Sequence, residues 1–535
     1  MNTGSEPKRR LIIASNRGPV EHSIDKNGAI RTKRGAGGMV TALQPAVRYA
    51  PTGGFTWIAV AMTDADRIVA EQQEAARTGA DTTAFSPDGA STNGRQRSRR
   101  RRAEPELPPT RFVNVPPTVY QRHYDGISNR ILWFLQHYLW NTAEEPTFTA
   151  QTYHLWEQGY KLVNQAIAQA VYEEVARDPS PTLIMLQDYH LYLTPGMLRE
   201  QLEQAGLTEH SIIHHFIHIP WPSLRYWQLL PREMLMGIYH SLLANDIVGF
   251  QTSRDAANFL YATRFLVEDA KVTEDRRGRG HIAWRKHTTL VRDYPISIDV
   301  NEVRQEAARG KRQHESEVRK LLGEFTIVRV DRVEPTKNIV RGFHAFENLL
   351  KHRSDLIGKV KFLAFLVPSR QGLPSYRRYE REVRKIVQKI NETYSHDGWK
   401  PIEAFFENNR AKAMEAMRHY NALLVNPIMD GMNLVAKEGP IVNECDGVLI
   451  LSETAGTAQQ LSEGSLTIVP TDVEETMRAL IHAMEMPQEE RQRRAQQIRA
   501  LIEQEDLEAW LNEQFADVEE VAQQSGRTLS QSGAR

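Results

Sequence analysis

Cysteine is all but missing from this chain of 535 residues, with Cys445 its single example. One thiol excludes both an intrachain disulfide framework and a metal centre built on several cysteines. Long apolar runs are missing as well. No stretch approaches the ~18 consecutive apolar residues that a membrane span requires. The N-terminal MNTGSEPKRR passes into LIIAS, far briefer than the core of a signal peptide. Excess charge of one sign is the third absence. Lysine and arginine number 67 and the acids 67, so nothing global recruits nucleic acid or a membrane. Nor is there an H-E-x-x-H or paired-carboxylate metal motif. His214, His215 and His218 fall on one predicted strand, where alternation sends neighbours to opposite faces, and His240 falls in a later helical segment. These exclusions predict a cytoplasmic globular protein that holds no metal and no resident cofactor.

What is present is ordinary in bulk and patterned in detail. The chain is 41% hydrophobic and 25% charged, as globular proteins are, and its length predicts at least two large domains. Short β-branched apolar runs alternate with amphipathic helical segments, the pattern of an α/β protein with mainly parallel sheets. Predicted strands in the first half are Leu11–Ser15, Leu183–Leu186, Ser211–His218 and Asp246–Phe250. In the second half they are Phe325–Val330, Val360–Leu366, Ala422–Val425 and Gly447–Leu451. They read as two Rossmann-like sets joined by a linker at Tyr294–Val300. The predicted organisation is one domain over 1–296, a second over 297–485, C-terminal helices over 486–522 and a disordered tail over 523–535. Residues 76–110 break the pattern, being rich in Ser, Thr, Gly, Pro and Arg and poor in large apolar groups. They read as a solvated, mobile insertion. The Arg95–Arg102 run has no interleaved aromatic residues to stack on bases, so a nucleic-acid role is the weaker reading.

The candidate chemistry lies at strand ends. FTIVRVDRVEPTKNIVRGFHAFENLL reads as strand, loop and helix, placing Arg332 and Lys337 in the loop. Open α/β sheets bind ligands there, and two cations beside a helix N-terminus suit a diphosphate. A pair of solvated surface charges is the plain alternative. A second such junction follows ALLVNP, where IMDGMNLVAKEGPIVNE switches abruptly to helical periodicity. Asp430 and Gly431 sit at that turn, and Glu438 lies within about two helical turns of it if the helix starts near Asn433. Carboxylates there accept hydrogen bonds from sugar hydroxyls, and glycine permits close backbone approach. Complementing a helix dipole would account for Asp430 but poorly for Glu438. In the first half, LIIAS leads to Asn16 and Arg17, and Gly37 and Gly38 immediately precede a helix. That too is an anion-binding arrangement, and one that ordinary turns also produce.

Taken together, SNRGPV, AGGMVTAL, YDGISNRILW, QDYHLYLTP, HIPWPS, GFQTSRDAANF, RVEPTKN and DGMNLVAKE resemble the trehalose-6-phosphate synthase family of retaining glycosyltransferases, over residues 11–465. The resemblance implies GT-B architecture, two Rossmann-like domains facing a cleft, with C-terminal helices packing back on the first. It implies a nucleotide-sugar donor on the second domain and a sugar-phosphate acceptor on the first as the partners. Whether copies of the chain associate stays open. On this resemblance Arg332 and Lys337 would hold the leaving diphosphate, approached from the first domain by Gly37 and Gly38. Asp430 and the backbone of Gly431, Met432, Asn433 and Leu434 would bind the transferred sugar, and Glu438 the ribose. His218 would sit against the donor sugar and Asp188 beside the reacting acceptor hydroxyl, completing the catalytic group with Arg332 and Lys337. Arg17, Tyr124, Trp133 and Arg370 would form the acceptor site, the two arginines on its phosphate, which suits their planar fork. No residue stands out as a covalent nucleophile. Retention then implies front-face displacement, in which the departing phosphate oxygen takes the acceptor's proton and Arg332 and Lys337 do what a metal does elsewhere.

Three departures bear on specificity. The family's W-x-G-W reads Trp57-Ile58-Ala59-Val60, replacing a ring expected on the acceptor wall. R-x-D-Y-x-K-G reads Arg332-Val333-Glu334-Pro335-Thr336-Lys337-Asn338, and Gln187 stands where a histidine is common. These features resemble a divergent bacterial branch that includes validoxylamine phosphate synthases and members preferring GDP-sugars. The expected reaction is transfer of glucose from UDP- or GDP-glucose to glucose 6-phosphate, giving trehalose 6-phosphate. Another phosphorylated acceptor, glycerol 3-phosphate or an amino-cyclitol phosphate, is the alternative. A non-catalytic sugar-phosphate sensor is a further one, against which the joint presence of Arg332, Lys337, Asp430 and Glu438 stands.

Overall fold

The buried apolar runs become the strands of two sheets. The computed structural model describes residues 9–35, 38–43, 46, 54–78, 108–275 and 279–526. In chain order the first half contains β1 (Arg10–Ser15), a hairpin of β2 (Val20–Ile24) and β3 (Ile30–Arg34), β4 (Phe55–Val60), β5 (Thr110–Val113), β6 (Thr182–Gln187), β7 (Ser211–Phe216), β8 (Ile247–Phe250), β9 (Lys271–Glu274), β10 (Gly280–Trp284) and β11 (His287–Asp293). Apart from the hairpin these form one nine-stranded sheet in the order β5-β4-β1-β6-β7-β8-β11-β10-β9. It is parallel from β5 to β11 and turns antiparallel at β10 and β9. Every residue of β1 is buried, which is why it reads as an unbroken apolar run and not as an alternating one.

The second sheet is parallel throughout. Its strands are β12 (Phe325–Arg332), β13 (Val360–Val367), β14 (Ile402–Phe405), β15 (Ala422–Val425), β16 (Val448–Ser452) and β17 (Leu466–Ile468), in the order β14-β13-β12-β15-β16-β17. Two Rossmann-like sheets with covering helices make this a GT-B architecture.

Several boundaries differ from those expected. β7 stops at Phe216, so His218 lies two residues past the strand instead of on it. β12 pairs with β13 as far as Arg332, which is therefore the last strand residue and not part of the loop. The helix Asp64–Thr78 and β5 take both ends of the expected insertion, and residues 79–107 lie outside the described ones. The final helix runs to Gln524, past the expected start of the tail, and 527–535 lie outside the described residues. Among the described residues no helix is long and apolar enough to cross a membrane.

The chain passes between the sheets twice, and the two crossings touch. After β11 it runs into the helix Val300–Arg319 of the second half. It returns through the helices Gln488–Gln504 and Leu507–Gln524, where Leu507 N donates to Ile298 O at 3.1 Å. Leu507, Trp510, Leu511, Val518 and Ala522 are buried in the cluster that holds Ile13, Trp57 and Met185 of the first sheet. Trp510 Nε1 donates to Tyr294 O (3.1 Å), and Asp517 accepts from Arg292 Nε (3.0 Å) and from the Tyr294 hydroxyl (2.8 Å). Lys437, wholly buried, donates from Nζ to Ile296 O at 3.0 Å. The last helix therefore belongs to the core of the first sheet. Trp510→Ala should cost ~3–5 kcal/mol, the usual penalty for truncating a buried tryptophan. A denaturant midpoint within error of the parent's would show that the helix is merely laid on the surface.

Candidate active site

Strand order locates the site in both halves. In the first sheet the chain goes from β1 outward to β4 and later returns to β6 on the other side, so β1 and β6 flank a switch point. In the second sheet β12 is followed by β13 on one side and β15 on the other. Crevices open beyond the carboxyl ends of such strand pairs, where departing loops diverge. Asn16 and Arg17 follow β1, Asp188 follows β6, Arg332 ends β12, and Asp430 follows β15.

Asp188 is held under strain. Its φ of 72° with ψ of 175° is a region in which non-glycine residues cost ~1–3 kcal/mol. Asp188 N donates to Phe216 O at 2.8 Å, and its carboxylate Oδ1 accepts from the backbone N of His218 at 3.2 Å. Burial raises the carboxyl to about 7, outweighing those N–H groups and the charges of Arg370 and Arg332. Burial also lowers His218 to about 3, with His215 adding to the effect, so its ring is neutral.

An aromatic ladder adjoins Asp188. Asn16 Nδ2 donates to the Tyr120 hydroxyl (3.2 Å), Tyr120 stacks on Tyr124 (5.5 Å), and Tyr124 on His190 (5.7 Å). Arg17 lies near this ladder, about half exposed, 3.9 Å from Glu21. Its charge acts on both Tyr120 and His190. Trp133, from the helical run 117–136, is buried, with the ring of His137 stacked on it at 3.9 Å.

In the second half every candidate cation is already paired. Arg332 Nη1 is 2.9 Å from Glu334 Oε1, and Lys337 Nζ bonds to Asp430 Oδ2. Asp430 also accepts from Gly431 N (3.1 Å) and Asn433 Nδ2 (3.0 Å). Burial alone would raise Asp430, but Lys337 holds it below the usual carboxylate range. Glu334 behaves alike: burial opposes ionisation, and Arg332, Arg370 and Lys337 more than offset it, holding the group at about 2. Met432 packs into the apolar cluster of the first sheet, and Leu434 bridges the clusters of both halves. The side chains there are spent on packing, so the backbone is what that loop offers a ligand.

The two crevices meet. Arg370, from the loop after β13, lays its guanidinium 3.9 Å above the Trp133 ring and donates to the hydroxyls of Tyr376 (2.7 Å) and Tyr189 (3.3 Å). Its φ of 43° is a second non-glycine residue in the left-handed region. A β carbon on Gly431 would overlap the carbonyl oxygen of His218, and one on Gly456 would overlap the carbonyl of Gly431. Three backbone segments from the two halves therefore stack without intervening side chains.

The structure brings Asp188, His218, Arg332, Lys337, Asp430, Trp133 and Arg370 to this junction, with Arg17 and Tyr124 on its first-sheet side. Glu438 sits deeper in its half, in the first turn of a helix that begins at Val435 and not near Asn433. Its Oε1 is 2.9 Å from Arg410 Nη2, which also reaches Glu306 at 2.7 Å. Gly38 opens the short helix Gly38–Leu43, and Gly37 lies outside the described residues. His137, Tyr189 and Tyr376 were not singled out from sequence. Their only signal was membership of segments with neighbouring aromatics, and packing between the two halves selects them.

Across 9–520 the chain matches the model of glycosyltransferase family 20. It belongs to that family of enzymes. A bifunctional trehalose-6-phosphate synthase/phosphatase from Thermoproteus tenax is 30% identical over 94% of this chain, which spans 62% of that protein's length. A validamine 7-phosphate valienyltransferase from Streptomyces hygroscopicus subsp. jinggangensis is 27% identical, covering 96% of this chain and 94% of its own. The crystal structure of an alpha,alpha-trehalose 6-phosphate synthase from Burkholderia multivorans superposes with a TM-score of 0.75 at 26% identity, covering 99% of this chain and all of that one.

Val60, where this family 20 chain lacks the second tryptophan of W-x-G-W, is fully buried among Ile12, Ala14, Ile58 and Ile184. The Asp188 environment makes a test. The native carboxyl keeps its proton to about 7, whereas an unfolded aspartate loses it near ~3.9. The native state binds the extra proton between these values, so stability falls as pH rises through that window. Asp188→Asn should flatten this component, narrowing the difference between denaturant midpoints at pH 5 and pH 8. An unaltered difference would remove Asp188 as its source.

Proposed function

We propose that the chain transfers glucose, with retention, from UDP-glucose or GDP-glucose to glucose 6-phosphate, giving trehalose 6-phosphate. The observation that carries this reading is the opposition of two crevices at one contact. Arg332, Lys337 and Asp430 come from one sheet, Asp188 and His218 from the other, and Arg370 over Trp133 joins them. A transfer enzyme needs such opposition, since donor carbon and acceptor oxygen must approach to ~3–3.5 Å. The names carried by trehalose-phosphate synthases among the relatives support the donor and acceptor.

In this reading Arg332 and Lys337 release their carboxylate partners to the donor's diphosphate, approached from the other side by Gly37 and Gly38. Asp430 and the backbone from Gly431 to Leu434 hold the sugar, and Glu438 the ribose. His218 meets a sugar hydroxyl. Arg17, Tyr124 and Arg370 take the acceptor phosphate, with Trp133 beneath its ring and Asp188 on the reacting hydroxyl. The bond from sugar carbon 1 to the phosphate oxygen breaks as the acceptor oxygen bonds to that carbon on the same face. The acceptor's proton passes to the departing phosphate oxygen. Barrier lowering then comes from positioning and from neutralising charge on the leaving group without a metal ion.

The full-length likeness to a valienyltransferase favours an amino-cyclitol phosphate acceptor as the second reading. UDP-, GDP- and ADP-glucose should be assayed against glucose 6-phosphate, glycerol 3-phosphate and validamine 7-phosphate, with products identified by mass and linkage. Trehalose 6-phosphate should be the principal product. Arg332→Ala should cut turnover by ~100-fold or more with the fold intact, as loss of one electrostatic donor does elsewhere. A chelator should leave the rate unchanged. Near-normal turnover in the variant, or loss of activity with chelator, would refute the charge-neutralising role.

A further inference from the structure

Gln187, the last residue of β6, has its side chain wholly buried against His218. Its Oε1 lies 2.9 Å from His218 Nε2, while the amide nitrogen has no partner. An amide oxygen only accepts, so in this pair the ring hydrogen resides on Nε2. A neutral imidazole protonated there keeps its lone pair on Nδ1. Nδ1 has no protein partner among the described residues, and the ring is only partly buried. The residue's backbone is fixed at both ends: the N–H bonds to Asp188, and the carbonyl is pressed against Gly431. What remains free in His218 is ring rotation and choice of tautomer, and the one side chain bonded to the ring is Gln187.

We propose that Gln187 is a positioning residue that locks His218 as the Nε2–H tautomer, so that Nδ1 presents a hydrogen-bond acceptor to a hydroxyl of the donor sugar. This rests on the proposed donor site. A histidine at 187 could both titrate and exchange tautomers, leaving the polarity of the pair undetermined. Glutamine neither titrates nor exchanges tautomers, and here its amide turns Oε1 and not the NH2 group to the ring. In that orientation the pair is asymmetric, and a donor hydroxyl meets the same acceptor edge at every turnover. Burial reinforces the arrangement by keeping the imidazole neutral, with His215 as a second contributor.

Long-range proton–nitrogen spectra of the protein labelled with 15N-histidine test the lock directly, with His218 assigned by its disappearance in His218→Asn. The Nε2–H tautomer is expected in the parent and a mixture in Gln187→Leu, whose other histidine signals report an intact fold. Gln187→Glu places a carboxylate on Nε2, favours the imidazolium, and turns Nδ1 into a donor. Calorimetry with UDP-glucose and GDP-glucose should show affinity for the better one falling roughly five- to ten-fold in Gln187→Leu, the effect of one neutral hydrogen bond. The fall should be larger in Gln187→Glu, while glucose 6-phosphate binding stays as in the parent. An Nδ1–H tautomer in the parent, or unchanged nucleotide-sugar affinity in both variants, would overturn the proposal. Failure of both nucleotide sugars to bind the parent would instead overturn the donor site itself, with the spectrum still deciding the tautomer.

Discussion

The carbonyl of His218 occupies the space that a β carbon of Gly431 would need, and the Gly431 carbonyl stands in the same relation to Gly456. Everything else at the site depends on that contact. It sets how closely the carboxyl ends of the two sheets approach, and so how far Asp188 lies from Arg332 and Lys337. Glycine is required here for room and not for backbone freedom, since neither residue has a positive φ. The strained backbone lies alongside, at Asp188 and Arg370 just past strand ends and at Asn338 and Asn433 just before helices, each with positive φ. Such strain persists only where the surroundings over-determine it. Here those surroundings are two rigid sheets pressed end to end.

Charge follows the same geometry. Lys337 and Arg370 lie in a region of low exposure, where unpaired cations would be costly, with Arg332 half exposed at its rim. Glu334 and Asp430 answer them, and both are driven to ionise against their own burial. Asp188, a short way off on the other sheet, has no cation bonded to it and stays protonated to about 7. Of these three carboxyls, the two bonded to cations of the second half are held ionised, and Asp188 is not. An anionic ligand entering beside Arg332 and Lys337 meets dipoles and charges that are already oriented, which is the condition for electrostatic catalysis.

Much of this was legible beforehand. The runs that became β1, β6, β13, β15 and β16 are almost continuously apolar because those strands are buried on both faces, and β12 is so over its middle. Polar edge elements were not legible. KVTE of β9 and IRTKR of β3 carry polar residues on exposed faces, and no apolar run announces them. At the site, Arg332, Lys337 and Asp430 could be found because each follows a legible strand, while Asp188 came only with the family resemblance. His137 and Tyr376 could not, since each matters through groups far off in the chain: the charges of Asp430 and Glu334 for one, the ring of Phe134 for the other.

Sequence alone determined the two parallel sheets, the loops that carry the chemistry and the family these motifs resemble. All of these are written in local spacing: apolar runs of strand length, abrupt changes of period, and glycine or charge at fixed offsets from them. Tertiary structure decided which charges are paired, which carboxyl keeps its proton, which ring Arg370 covers, and that Gln187 fastens the ring of His218. Those outcomes depend on distances of a few ångströms between groups on different elements, or on burial that the whole fold imposes. No local pattern encodes either, because they exist only once the last helix has returned to the first sheet and the two halves have closed on Gly431.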